Sequence, residues 1–164
     1  MKPTEKALMV TATDLIPYGY GFKQISKHET FSKNSYGGNS FDLEYEFETP
    51  DSEQNDPMYM NVRFASDPNI KDAMVTEGIE RASGGLGLKL GNLKQQPVKG
   101  AKTYGNSSSL NLLTLEGAPV GNYFICRQGK RTCTITMTGT IYFDDPAEWD
   151  DAFGTKITNW LQSR

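Results

Sequence analysis

Apolar and polar residues alternate most regularly near the end of the chain, from Val120 to Phe143. Cys133, Ile135, Met137, Gly139, Ile141 and Phe143 fall on one side of an extended strand, with threonines and Tyr142 on the other. Such a period of two marks a strand with one buried face. Gly129-Lys130 supplies a two-residue turn with glycine at the first central position, as a type II′ turn requires. Folded there, Cys126 lies opposite Cys133, Phe124 opposite Ile135, and Asn122 opposite Met137. On the other face Ile125 meets Thr134 and Tyr123 meets Thr136.

A second alternation runs through Phe41, Leu43, Tyr45 and Phe47, interleaved with Asp42, Glu44, Glu46 and Glu48. Period two puts the apolar side chains on one face and the four carboxylates on the other. Upstream, Phe22 to Ser32 is a poorly patterned first strand, and Asn34 to Ser40 a turn with its tip at Gly37-Gly38-Asn39. Thr49 to Pro57 reads as a loop, and Met58, Met60, Val62 and Phe64 mark a third strand of the same meander.

Asp67-Pro68 starts a helix, since Asp is a good cap and Pro suits the first helical position. Ile70, Ala73, Met74, Ile79 and Ala82 give it an apolar stripe. Gly84-Gly85 is the expected stop, as glycine commonly follows a helix. Leu86, Leu88 and Leu90 then alternate as a strand, followed by strands at Val98 to Tyr104 and Leu110 to Leu115. In the last, the alternation shifts between Leu112 and Leu113, which calls for two buried faces or a bulge. Asp144-Asp145-Pro146 opens a closing helix to about Gln162, with Trp149, Phe153, Ile157, Trp160 and Leu161 on one face.

The elements describe an α+β fold: a central antiparallel β-sheet flanked by helices. At 164 residues the chain suits a single domain, 1–164, with 1–12 set apart as a disordered or leader-proximal segment. A chain this long can bury roughly 70% of its unfolded surface without a metal or a staple.

Composition changes this picture mainly by exclusion. A net charge of -3 and a pI near 5.2 give no field for phosphate backbones, so nucleic acid is not an expected partner. No apolar run is long enough to span a bilayer. Ala7-Leu8-Met9-Val10 is too short for the apolar core of a signal peptide. Two compartments stay open, cytosolic or extracytoplasmic after removal of a leader, with the second favoured.

Cys126 and Cys133 bear on the same choice. Directly opposed antiparallel residues can sit about 5.5 Å apart at Cα, within reach of a disulfide. Two small apolar side chains on a buried face account for them equally well.

The ending of the chain carries a resemblance. A hairpin at Gly129-Lys130-Arg131, a threonine-rich strand from Thr132 to Phe143 and a helix start at Asp144-Asp145-Pro146 close a run of meander, helix, strands and helix. This order resembles the α/β/α sandwich of the PsbP family, which includes the extrinsic photosystem II protein and DcrB-type bacterial proteins. The resemblance implies a sheet with helices on both sides and a non-enzymatic accessory role toward a protein partner. Some members are chaperones of secreted toxins. It transfers no functional residue.

Candidate chemistry is sparse. Carboxylates on one strand face stand some 6.6–7 Å apart, so Asp42, Glu44, Glu46 and Glu48 cannot close around one calcium ion unaided. They form either a cation-binding face or a solvated one. His28 is the only histidine, which removes a histidine-based zinc cage, and it is expected in solvent. Ser107-Ser108-Ser109 lacks the nucleophile elbow, and Gly84-Gly85-Leu86-Gly87 lacks the phosphate-loop ending. No catalytic residue, metal ligand or cofactor is assigned.

The expected function is that of a non-enzymatic binding or accessory protein, a secretion- or envelope-associated chaperone or immunity-like factor. Its candidate contact residues are Tyr18, Tyr20 and Phe22 in the aromatic N-terminal segment, and the carboxylates of the second strand. A small-ligand carrier or a hydrolase with a dispersed site is the competing expectation. Oligomeric state is left open.

Overall fold

The computed structural model describes residues 1–50 and 57–163. Seven strands form one sheet: β1 (Glu29–Gly37), β2 (Ser40–Glu48), β3 (Met58–Ser66), β4 (Lys94–Pro97), β5 (Ser107–Leu115), β6 (Ala118–Gln128) and β7 (Arg131–Gly139). Their order is β1-β2-β3-β7-β6-β5-β4, and every pairing is antiparallel. Two meanders, β1–β3 and β4–β7, are thus joined where β3 meets β7. The long helix α3 (Ile70–Leu90) carries the chain between them, from mid-sheet to the far edge. The architecture is α+β, with helices flanking the sheet.

The hairpin at Gly129-Lys130 has the expected register, including Cys126 with Cys133, Phe124 with Ile135, and Tyr123 with Thr136. Of its two turn residues only Gly129 has positive φ, at 54°, which is the type II′ requirement.

The main core lies on the sheet face that carries Tyr45, Phe47, Met60, Phe64, Phe124 and Ile135, all buried. Over it lie α1 (Pro3–Leu8), a 3₁₀ segment (Ala12–Tyr18), α2 (Ile25–His28), and the C-terminal run of α4 (Pro146–Trp149), a π-helical turn (Asp150–Gly154) and α5 (Thr155–Gln162). The stripe Trp149, Phe153, Ile157, Trp160 and Leu161 is buried as its spacing predicts. Trp160 stacks on Phe64 at 5.1 Å and donates its indole N–H to Thr132 O at 3.0 Å. Asn122 sits inside this core, where it accepts from Phe143 N at 2.6 Å and donates to Phe143 O at 2.8 Å. It fixes the crossing from β7 to α4.

Several expectations are corrected. Residues 1–12 are not loose: they hold α1, and Met9 and Val10 are fully buried. Lys156 Nζ donates to Met9 O at 2.8 Å and pairs with Asp14 at 2.8 Å, tying this segment to α5. The first strand starts seven residues later than Phe22, because Ile25–His28 takes a helical turn first. The loop expected at Thr49 to Pro57 falls mostly outside the described residues. Helix α3 runs through Gly84-Gly85 to Leu90, so Leu86, Leu88 and Leu90 are helical, not a strand. Glycine weakens a helix by about 1 kcal/mol per residue but does not forbid it, and burial of Leu88 with Leu113, Tyr123 and Ile125 holds this stretch down. Only Lys94–Pro97 pairs as β4, and 98–104 is irregular. On β5 both explanations of the shift apply: Leu110 and Leu113 are buried on opposite faces, and the register slips between Leu113 and Thr114.

The disulfide is not present. Cys126 and Cys133 are free thiols, both fully buried. His28 is half-buried with its ring edge-on to Phe47 at 6.4 Å, rather than in solvent.

Candidate functional site

The second face of the sheet is mostly polar, and α3 lies across it. Asn69 caps the helix, its side-chain oxygen accepting from Asp72 N at 2.9 Å. The residues α3 turns toward the sheet are Ala73, Glu77, Glu80, Arg81, Gly84 and Leu88. Three of these six carry charge.

Two arginine centres anchor that charged face. Glu77 is buried and accepts from Ser107 Oγ at 2.5 Å, Arg127 Nε at 2.7 Å and Arg81 Nη2 at 3.0 Å. Burial pushes its carboxyl up, but the hydrogen bonds from Ser107, Arg127 and Arg81 outweigh burial and hold it below its ordinary value. On the other side of the helix, Arg63 of β3 pairs with Asp42 at 2.6 Å and also with Glu80 of α3. The apolar contact beneath the helix is small: Leu88, Leu113, Tyr123 and Ile125, with Leu93 and Val120 at its margin.

Because α3 spends its inner face on charge, its apolar residues face outward. Val75, Ile79, Leu86 and Leu90 are 56%, 60%, 59% and 77% exposed, and Ala82 between them is exposed too. The steps along Val75, Ile79, Ala82, Leu86 and Leu90 are four, three, four and four residues. That spacing makes one continuous seam on a helix, about 22 Å long at 1.5 Å per residue. Lys71 and Lys89, five full turns apart, lie on one flank of it. Neither forms an ion pair among the described residues.

The carboxylates of β2 stand beside this helix in graded states. Asp42 is 1% exposed, and its Oδ2 accepts from Arg63 and the Tyr36 hydroxyl while its Oδ1 is buried without a donor. Glu44 is 3.8 Å from Arg63. Glu46 and Glu48 are exposed. Between them and α3 runs a cleft of about 310 Å³, floored by Tyr59, Asn61, Thr136 and Thr138 and walled by Ser83 and Gly87. The Tyr59 hydroxyl is pushed above its ordinary value by burial and by Glu46, Glu48 and Glu44.

The aromatic segment lies elsewhere. Tyr18 sits edge-on to Phe143 at 5.6 Å, with its hydroxyl donated to Asp151. Tyr20 stacks with Phe22, and Phe22 meets Phe47 at 5.1 Å on the core face. Tyr18, Tyr20 and Phe22 are half-buried, on the opposite side of the sheet from Glu46 and Glu48. The fold therefore does not bring the two expected contact groups together. The seam on α3 escaped the sequence pattern because Gly84-Gly85 divides it. Its signal is the 4-3-4-4 spacing read straight through those glycines.

Among the described residues, no group of three or more His, Cys, Asp or Glu is placed to hold a metal ion, and no helix is long and apolar enough to cross a membrane. No family model, curated protein or solved structure matches the chain.

Proposed function

We propose that this protein is a binding module for another protein, with the outward face of α3 as its contact surface. The observation that carries the reading is the inversion of α3, which buries Glu77 and half-buries Glu80 against the sheet while exposing Val75, Ile79, Leu86 and Leu90. Contiguous apolar residues of this kind, rimmed by polar ones, mark interaction sites. The occupant is an amphipathic helix of a partner protein, apolar at matching spacing and acidic where it passes Lys71 and Lys89. Helix-on-helix recognition of this kind reads anchors three and four residues apart. A second copy of the chain fits less well. Antiparallel pairing of two α3 helices would bring the lysine flank of one against the lysine flank of the other, and like charges there are repulsive. The PsbP-like order of elements supports the same accessory role, including that of a secretion-associated chaperone or immunity-like factor.

The test uses two designed helical peptides with leucine at the seam positions, one flanked by glutamate and one by lysine. By sedimentation or calorimetry the acidic peptide binds the protein, the basic one binds at least tenfold more weakly, and Ile79→Glu with Leu86→Glu abolishes binding. Failure of both peptides overturns the reading. So does dimerisation of the protein alone that the same double substitution removes.

A further inference from the structure

At one end of the sheet the β1–β2 turn, the link from β3 to α3, the β6–β7 turn and the end of α5 surround a cavity of about 630 Å³. That is within the range of small-molecule sites, which run from roughly 300 to 1,000 Å³. Phe41, Pro68 and Leu161 supply apolar wall, and Asp67, Lys130 and Arg131 supply charge.

Two of these charged groups, Arg131 and Asp67, are incompletely used. The Arg131 guanidinium sits over the Trp160 ring at 4.4 Å and over Phe41 at 5.6 Å, and its Nη2 donates to Ser163 O at 3.3 Å. Its Nη1 is buried with no acceptor. Asp67 accepts from Thr76 Oγ1 at 3.1 Å through Oδ1, while its Oδ2 is buried with no donor. Asp67 and Arg131 line one cavity and do not pair with each other. Buried polar atoms are nearly always satisfied, so each such exception calls for a partner. A guanidinium presents several donors in a fixed fork that matches a carboxylate. A carboxylate can only accept, and an ammonium answers it.

We propose that this cavity binds a small apolar zwitterion, an amino acid or short peptide. Its carboxylate meets Arg131, its ammonium meets Asp67, and its side chains lie against Phe41, Pro68 and Leu161. Both spare atoms are enclosed in this structure, so binding requires each terminal group to rotate toward the cavity. Lys130, at the same mouth, reinforces the anionic end of the ligand, and Asp67 disfavours a ligand that is only anionic. The site is separate from the α3 seam, so its occupancy is independent of the protein–protein reading.

Trp160, beneath the Arg131 guanidinium, is a built-in reporter. The protein is titrated with leucine, dileucine and trileucine while tryptophan fluorescence is followed. At least one of the three gives a saturable change, and its N-acetylated and its C-amidated forms each bind at least tenfold more weakly. Asp67→Asn and Arg131→Lys weaken binding by a similar factor, whereas Ile79→Glu with Leu86→Glu leaves it unchanged. No saturable change with any of the three overturns the proposal, as does equal binding of free and blocked forms. Should Arg131→Lys fail to fold, the blocked ligands decide the matter on the unaltered protein.

Discussion

The Tyr123 hydroxyl occupies the space that Gly84 leaves open: a Cβ built on Gly84 would fall 2.6 Å from its oxygen. The same hydroxyl donates to Glu80 O at 3.0 Å. A hydrogen bond and the absence of a side chain together seat α3 on β6. Gly84→Ala therefore meets a rigid ring, and overpacking of this kind costs about 1–3 kcal/mol. At Gly78 and Gly87 a Cβ meets nothing within 4 Å, so alanine there adds up to about 1 kcal/mol of helix stability. Urea midpoints of the three variants should move in opposite directions, down for Gly84→Ala and up for the other two. A common direction would show that Tyr123 does not position the helix.

Among the described residues, Arg63 is the one cation paired with Asp42, which is 1% exposed. Removing one partner of a buried pair leaves an uncompensated charge, at a cost of about 3–5 kcal/mol. Arg63→Ala should lose about that much in chemical denaturation. Adding Asp42→Asn should recover part of it, because the most buried stranded carboxylate is gone while Glu80 still lacks its arginine. A double variant no more stable than Arg63→Ala would count against this account.

Glu77 sets a pH dependence with a definite sign. Its folded-state carboxyl is held below the ordinary value, so the stability it contributes is present above the unfolded-state value near 4.5 and is lost as pH falls through the lower folded value. Unfolding free energy measured from pH 7 down to pH 3 should decline below about pH 4.5. In Glu77→Gln the overall stability should be lower at neutral pH and that part of the acid decline should be gone. An unchanged slope in the variant would remove Glu77 from the account.

Cys126 and Cys133 face each other as buried free thiols, and burial, with Cys126 alongside, pushes the Cys133 thiol well up. Only the thiolate is an effective nucleophile. The native protein should react with a thiol reagent over hours, and denaturation should release two thiols within seconds to minutes. Fast labelling of the folded protein would mean that β6 and β7 open locally.

Legibility in the sequence followed the number of competing environments. The β6–β7 hairpin could be read to the residue pair because glycine at the turn and one apolar face admit a single register. The tryptophan stripe of the C-terminal helices was legible because its spacing and its burial agree. Helix α3 was not, because its pattern is largely inverted: Glu77 is buried with Glu80 and Arg81 half-buried beside it, and Val75, Ile79, Leu86 and Leu90 point out. A periodicity argument assigns the apolar face to the core, and here that rule picks the wrong side. Ile25–His28 and residues 98–104 were misread for a related reason, since short segments take their conformation from what they pack on.

Local order was determined by the sequence alone: which stretches alternate, where the chain turns, and which helix carries the aromatic face. These depend on near neighbours along the chain. Only the tertiary structure decided which carboxylates are spent and which are free. Asp42 and Glu48 share one strand face, and the difference between them is an arginine twenty-one residues away from the first. It also decided that Val75, Ile79, Leu86 and Leu90 remain uncovered, because whether an apolar stripe is core or contact surface depends on the charge of the sheet it meets.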